Sequence, residues 1–169
     1  ASLHGDPQAS PHDKLFALLA FIATLRDHGA RRVSAVVPYL AYARKDRRTK
    51  PFDPVTLRYV AQWFEAAGGD QLIALEAHNV AAFDNAFRRP VIHLEAHRLF
   101  DAPAADGPLA VVSPDPGGVK RVQLWREWLE ARLSREIGFA MIDKRRSAGV
   151  VSSERLVAGS VAGATALLF

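Results

Sequence analysis

The sequence predicts an α/β fold in which helices flank mainly parallel sheets. Short apolar segments alternate with longer segments whose apolar residues recur at helical spacing. Glycine, proline and charged residues separate the two kinds of segment. Parallel strands need crossover connections, and helices usually supply these and cover the sheet. The alternation therefore favours parallel sheets with helical layers.

The first half of the chain is predicted to begin with a loop and to continue as helix, strand, helix and strand. Ser10, Pro11 and Asp13 form a helix start, with a capping hydroxyl, an early proline and an acid in the first turn. Glycines mark both helix ends. The predicted elements are a helix from Ser10 to Gly29, a strand at 33–37, a polar loop at 38–53, a helix from Asp53 to Gly68 and a strand at 72–75.

The second half repeats this order. Residues 76–108 are less regular and are predicted to hold one or two short helices. The later elements are a strand at 109–112, a loop at 114–118, a helix at 119–135, a strand at 139–142, a loop at 144–149 and a strand at 165–169.

Composition narrows the class of protein. The 169 residues include no cysteine, which excludes disulfide scaffolds and thiolate metal sites. The longest apolar run, Leu15 to Leu25, is about half of the roughly 20 residues that span a bilayer. No signal-peptide pattern precedes it. We therefore expect a soluble cytoplasmic protein, and its net charge of +4 favours anionic ligands.

Polar groups follow four predicted strands. They begin at Pro38, Glu76, Ser113 and Asp143. Ligands of open parallel sheets bind beyond the carboxyl ends of the strands, so we expect all four loops to gather at one edge.

Two of these loops are basic. Arg44, Lys45, Arg47, Arg48 and Lys50 lie within seven residues, and Lys144, Arg145 and Arg146 are consecutive. Arginine forks match phosphate oxygens and lysine adds a point charge. The alternative for each run is an exposed, solvated turn.

The other two loops offer possible metal ligands. Asp115 is a hard oxygen ligand suited to Mg²⁺, or else the cap of a tight turn. His78 could bind a metal or a phosphate, or be structural. His93 and His97 resemble a zinc-protease pair, but the glutamate between them is one place off. We expect these two on a short helix.

Together, the segments resemble the ribose-phosphate pyrophosphokinase (PRPP synthetase) family. Residues 38–51, Pro-Tyr-Leu-Ala-Tyr-Ala-Arg-Lys-Asp-Arg-Arg-Thr-Lys-Pro, are similar to its ATP-binding loop. Residues 113–121 are similar to its Ser-Pro-Asp-x-Gly-Gly segment, and residues 142–146 to its catalytic loop. Lys45 and Glu76 depart from the glutamine and aspartate usual there.

The resemblance implies two phosphoribosyltransferase-like lobes, at 1–90 and 91–169, that transfer the diphosphate of ATP to ribose 5-phosphate with Mg²⁺. It implies a homo-oligomer, a dimer or a hexamer, with no nucleic-acid or membrane partner. The implied ATP contacts are Arg44, Lys45 and His78; the Mg²⁺ ligands are His78 and Asp115; the ribose-phosphate contacts are Asp115 and Arg146; and the catalytic residues are Lys144 and Arg146.

Three alternatives remain open: a non-catalytic regulatory relative, a nucleic-acid-binding module, and a phosphoribosyltransferase that consumes PRPP. The family's first strand, its Asp-Gly-Glu loop and its ribose-phosphate loop are not in this sequence. We therefore expect the chain to be part of a longer protein and not to catalyse alone.

Overall fold

The computed structural model describes residues 1–100, 107–147 and 150–169, with side chains described outside 143–157. The chain divides into two compact units, Ala1–Glu95 and Ala96–Phe169. Each unit is an α/β arrangement with parallel strands, as the sequence predicts. That the units are phosphoribosyltransferase-like lobes stays a prediction. In the described part of the chain, no helix is both long and apolar enough to cross a membrane.

The first unit contains a three-stranded parallel sheet in the order β1-β2-β3. Its elements are α1 (Pro11–Asp27), β1 (Ser34–Val37), α2 (Thr56–Ala66), β2 (Gln71–Leu75), α3 (Val80–Ala86) and β3 (Val91–Leu94). The predicted start of α1 is confirmed, because Ser10 and Asp13 form a reciprocal capping box. Buried residues of α1, α2, α3 and the strands form one apolar core, in which Phe64 and Phe83 are the largest fully buried side chains.

The described residues of the second unit contain a four-stranded sheet in the order β6-β5-β4-β7. The elements are a 3-10 turn (His97–Leu99), β4 (Leu109–Ser113), a 3-10 turn (Pro116–Gly118), α4 (Val119–Leu133), β5 (Gly138–Ser147), β6 (Val150–Gly159) and β7 (Thr165–Leu168). Strands β4, β5 and β7 are parallel, and β6 pairs antiparallel with β5. Val122, Trp125 and Leu129 of α4 are buried, whereas Leu133 in its last turn is 38% exposed.

Several predictions about elements are wrong. Residues 144–147 continue strand β5 instead of forming a loop, because they pair with β6; residues 148 and 149 lie outside the described residues. Strands β3 and β6 were not predicted. His93 lies on β3 and not on a short helix, since that segment pairs with β2.

The expectation of one shared edge is also wrong. Strands β1 and β2 belong to one sheet, and β4 and β5 to another. The four polar loops therefore leave two sheet edges, two loops from each.

Candidate functional site

The carboxyl ends of β1 and β2 lie side by side in the first unit. Val37 is opposite Ala74, and the Leu75 amide donates to the Pro38 carbonyl at 3.2 Å. The loop after β1 carries Arg44, and the loop after β2 carries His78. The structure therefore brings these two predicted loops to one edge, where open parallel sheets bind ligands.

The basic loop, defined as residues 44–53, is closed by one carboxylate. Oδ2 of Asp53 accepts from Lys45 Nζ at 2.6 Å, from Thr49 Oγ1 at 2.7 Å, and from the amides of Thr49 and Lys50 at 3.0 Å. The Lys45 ammonium lowers the pKa of Asp53 most, followed by the Thr49 hydroxyl and backbone amide. The sequence predicts Asp53 as the start of α2, but the helix begins at Thr56 and Asp53 organises the loop.

The two predicted ATP contacts in the basic loop, Arg44 and Lys45, differ in their exposure to solvent. Arg44 is exposed, as are Arg47 and Arg48, whereas Lys45 is partly buried against Asp53. Exposed guanidinium groups at a sheet edge are available for bidentate contacts with phosphate oxygens. That Arg44 and Lys45 bind ATP stays a prediction.

Tyr42 anchors the start of the basic loop. Its hydroxyl is hydrogen-bonded to Nδ1 of His12 on α1, and the two rings stack with centroids 5.5 Å apart. Its backbone has a φ of 65°, which is uncommon for a residue other than glycine. Sequence reasoning missed this pair, because nothing in the spacing of two residues 30 positions apart indicates their contact.

The loop after β2 is short and strained. Glu76 has a φ of 50°, and its amide donates to the Leu94 carbonyl of β3 at 2.9 Å. Asn79 then caps α3 by accepting from the Ala82 amide at 3.1 Å. His78 is exposed between these two fixed points. Strained backbone that is fixed on both sides is often found at binding sites.

The loop after β4 forms a capped turn. Asp115 Oδ1 accepts from the Gly118 amide at 3.1 Å, and the buried Ser113 hydroxyl donates to the Asp115 carbonyl at 2.7 Å. The capping alternative for Asp115 is therefore confirmed. Asp115 is also exposed, and its binding of Mg²⁺ stays a prediction.

Lys144 and Arg146 lie on the extended part of β5. Ser113 of β4 is opposite Met141 of β5, so both residues lie beyond the point where β4 ends. They pair with β6 at Glu154 and Val151. The side chains of Lys144 and Arg146 are not among those described, and their catalytic roles stay predictions.

The described residues offer no preformed metal cage. Among the residues whose side chains are described, 1–100, 107–142 and 158–169, no three or more His, Cys, Asp or Glu side chains form a group that could hold a metal ion. Asp115 is an oxygen ligand of the kind that Mg²⁺ prefers, and Mg²⁺ commonly takes only one or two carboxylates besides phosphate oxygens and water. Asp115 therefore offers one oxygen donor of the kind that suits this ion.

Comparison with known proteins agrees with the resemblance. A family model described as the N-terminal domain of ribose phosphate pyrophosphokinase matches residues 3–68. The ribose-phosphate pyrophosphokinase of Cereibacter sphaeroides is 36% identical over 165 residues, which cover 93% of this chain and 47% of that protein. The chain is therefore similar in sequence to the ribose-phosphate pyrophosphokinases. The corresponding protein of Brucella melitensis is also 36% identical, over 94% of this chain and 50% of its own length.

A solved structure extends the likeness to the fold. Phosphoribosylpyrophosphate synthetase from Mycobacterium smegmatis matches with a TM-score of 0.79 and 30% identity, over 93% of this chain and 50% of that chain. The chain thus spans about half the length of the ribose-phosphate pyrophosphokinases that it matches.

Proposed function

We propose that this chain is the nucleotide-binding and catalytic-loop part of a ribose-phosphate diphosphokinase. This enzyme transfers the diphosphate of ATP to ribose 5-phosphate and releases AMP. The observation that carries the proposal is the placement of the Arg44 and His78 loops at one sheet edge in a chain related to ribose-phosphate pyrophosphokinases. The relatives' names support catalysis and give no support to the non-catalytic alternative.

The residues would divide the work by charge and position. In the proposed reaction, the 1-hydroxyl of the sugar attacks the β-phosphorus of ATP, and the bond to the α-phosphate oxygen breaks. Arg44 and His78 would hold the ATP phosphates at the edge of the first sheet, with Lys45 nearby. Lys144 and Arg146 would neutralise charge on the transferring diphosphate, since positioning and charge neutralisation dominate such transfers.

Sugar-phosphate and magnesium binding are proposed for the second unit. Asp115 and Arg146 would contact the ribose 5-phosphate. Asp115 would also hold Mg²⁺, which neutralises phosphate charge when it is bound. In the first unit, His78 is likewise proposed as a Mg²⁺ ligand at the edge of its own sheet. Because the chain spans about half of its relatives, we propose that these steps take place in a longer protein. As the family resemblance implies, we also propose that this protein is a cytoplasmic homo-oligomer, a dimer or a hexamer.

The experiment is a substitution in the full-length protein. Lys144→Ala should lower AMP formation from ATP and ribose 5-phosphate by about 100-fold or more, if Lys144 stabilises charge in the transition state. Arg58→Ala is the matched control, because Arg58 is an exposed cation on α2 that is not one of the proposed site residues. Undiminished AMP formation by Lys144→Ala would overturn its catalytic role, and no AMP formation by the wild type would overturn the proposed activity.

A further inference from the structure

We propose that Asp53 is a positioning residue for anion binding by the basic loop, and that Lys45 serves as its internal counter-ion and not as a phosphate ligand. The inference deepens the proposed function and rests on it for the identity of the anion. It revises one predicted site residue, Lys45, and adds one, Asp53.

The basic loop has a high density of positive charge. Five cations lie between positions 44 and 50. Like charges at this spacing repel, so a loop that carries them opens unless an acid holds it. Asp53 supplies that acid, and its ion pair with Lys45 is partly shielded from water, with 34% of the lysine and 21% of the aspartate side chain exposed.

Several hydrogen bonds within the loop meet at Asp53. Its carboxylate joins the ammonium of Lys45 to the backbone amides of Thr49 and Lys50. Its own amide donates to the Lys50 carbonyl at 3.2 Å, and Arg48 Nε donates to its carbonyl at 3.2 Å. These contacts close residues 45–53 into a ring.

A backbone hydrogen bond joins the ring to helix α2. The amide of Leu57, in the first turn of α2, donates to the Lys45 carbonyl at 3.3 Å. Leu57 is fully buried in the core. The ring is therefore fixed to a rigid helix. Arg47 within the ring and the adjacent Arg44 are exposed on backbone that the ligand does not have to order.

The ammonium of Lys45 makes its contacts within the loop. It is 2.6 Å from Asp53 Oδ2 and 3.3 Å from Thr49 Oγ1. A phosphate that also contacted Lys45 would share the ammonium with Asp53 and would lose affinity through repulsion by the adjacent carboxylate. Arg44 and Arg47 offer phosphate contacts without that loss. The basic loop thus uses one cation for its own structure and exposes the others.

The two readings of Lys45 predict opposite effects of Asp53→Asn. If Lys45 binds phosphate, the substitution frees its ammonium, removes a repelling charge and tightens ADP binding. If Lys45 is the internal counter-ion, Asp53→Asn and Lys45→Met both open the ring. Each should then raise the dissociation constant for ADP by about 3- to 10-fold. The double variant should be no weaker than the weaker single variant, because both remove one interaction.

The measurement is equilibrium binding of ADP to the full-length protein by calorimetry, for the wild type, both single variants and the double variant. Asp27→Asn is the matched control, since it removes an exposed aspartate at the end of α1. Trypsin cleavage after Arg47 and Arg48, followed without nucleotide, supplies a second readout on bonds that none of these variants changes. Cleavage should be about 3-fold faster or more in Asp53→Asn and Lys45→Met, because an opened ring exposes its backbone.

The outcomes separate the two proposals. Tighter ADP binding by Asp53→Asn, additive losses in the double variant, or unchanged trypsin cleavage would each overturn the positioning role. If the wild type binds no ADP, the proposed function fails, and the cleavage rates still decide whether Asp53 closes the loop.

Discussion

Gly69 offers a sharp test of how the first unit packs around Phe64. A Cβ atom at Gly69 would lie 2.3, 2.4 and 2.7 Å from three atoms of the Phe64 ring. Neither the Gly69 backbone nor the Phe64 ring can move easily to relieve these contacts. The Gly69 amide donates to the Phe64 carbonyl at 3.0 Å, and the ring is 1% exposed and packs edge-on against Phe87 with centroids 6.1 Å apart.

The expected cost of Gly69→Ala is about 3 kcal/mol of unfolding free energy, the upper end of the range for overpacked cores, because all three approaches are shorter than any normal contact. Phe64→Leu alone should cost about 1.5 kcal/mol. The shorter leucine leaves room for the new methyl group, so the double variant should lose about 2 kcal/mol less than the sum of the single variants.

The assay is urea unfolding of the four proteins, with amide hydrogen exchange of α2 and β2 to read the first unit by itself. Gly29→Ala is the control, because nothing lies within 4 Å of a Cβ at Gly29. It should cost about 1 kcal/mol through its φ of 84° and show no coupling to Phe64→Leu. Additive losses for Gly69→Ala and Phe64→Leu would refute the packing argument.

Three further predictions concern stability. The Lys14 ammonium, with the amides of Ala9 and Gln8, lowers the pKa of Asp6 to about 2. Because this lies below the unfolded value of roughly 4, the stabilisation is present above pH 4 and is lost as the pH falls toward 2. The urea midpoint should fall through that window, less steeply in Lys14→Met. Ser10→Ala should cost about 1 kcal/mol, measured by urea unfolding, because it removes the cap of α1. Trp125→Phe should cost about 1 to 3 kcal/mol and speed hydrogen exchange in α4, because it leaves the Phe100 carbonyl without the indole donor that is 3.0 Å away; unchanged exchange would contradict it.

The parts of the fold that follow from local pattern were predictable. Helix α1 has its cap, its early proline and its closing glycine in sequence order, and the structure places it at Pro11–Asp27. Strands β1, β2, β4 and β7 are short apolar runs between turn residues, and all are within one residue of the predicted bounds.

Strand β3 and the β5–β6 hairpin depend on pairing between strands, which the local sequence pattern does not predict. Strand β3, Val91–Leu94, has alternating partly buried residues and is fixed by its register with β2. Residues 144–147 are three cations and a serine and predict a loop, yet they extend β5 because β6 pairs alongside them. Hydrogen bonds between distant segments override local propensity in such cases.

The residue types of the candidate site could be predicted from the sequence, but the contacts between them could not. Strand order explains why the Arg44 and His78 loops share an edge. The role of Asp53 depends on a loop closing back on itself over eight positions, and the bond between Tyr42 and His12 on a contact between a loop and a helix. Neither contact leaves a periodic trace in the sequence.

The most direct test of the account is the affinity of the full-length protein for magnesium ATP, measured by calorimetry in the wild type, Arg44→Ala and Arg58→Ala. We expect the wild type and Arg58→Ala to bind equally well and Arg44→Ala to bind about 10-fold more weakly or worse, because a charged phosphate contact is lost. Equal affinity in all three proteins would contradict the claim that the basic loop at this sheet edge holds the ATP phosphates.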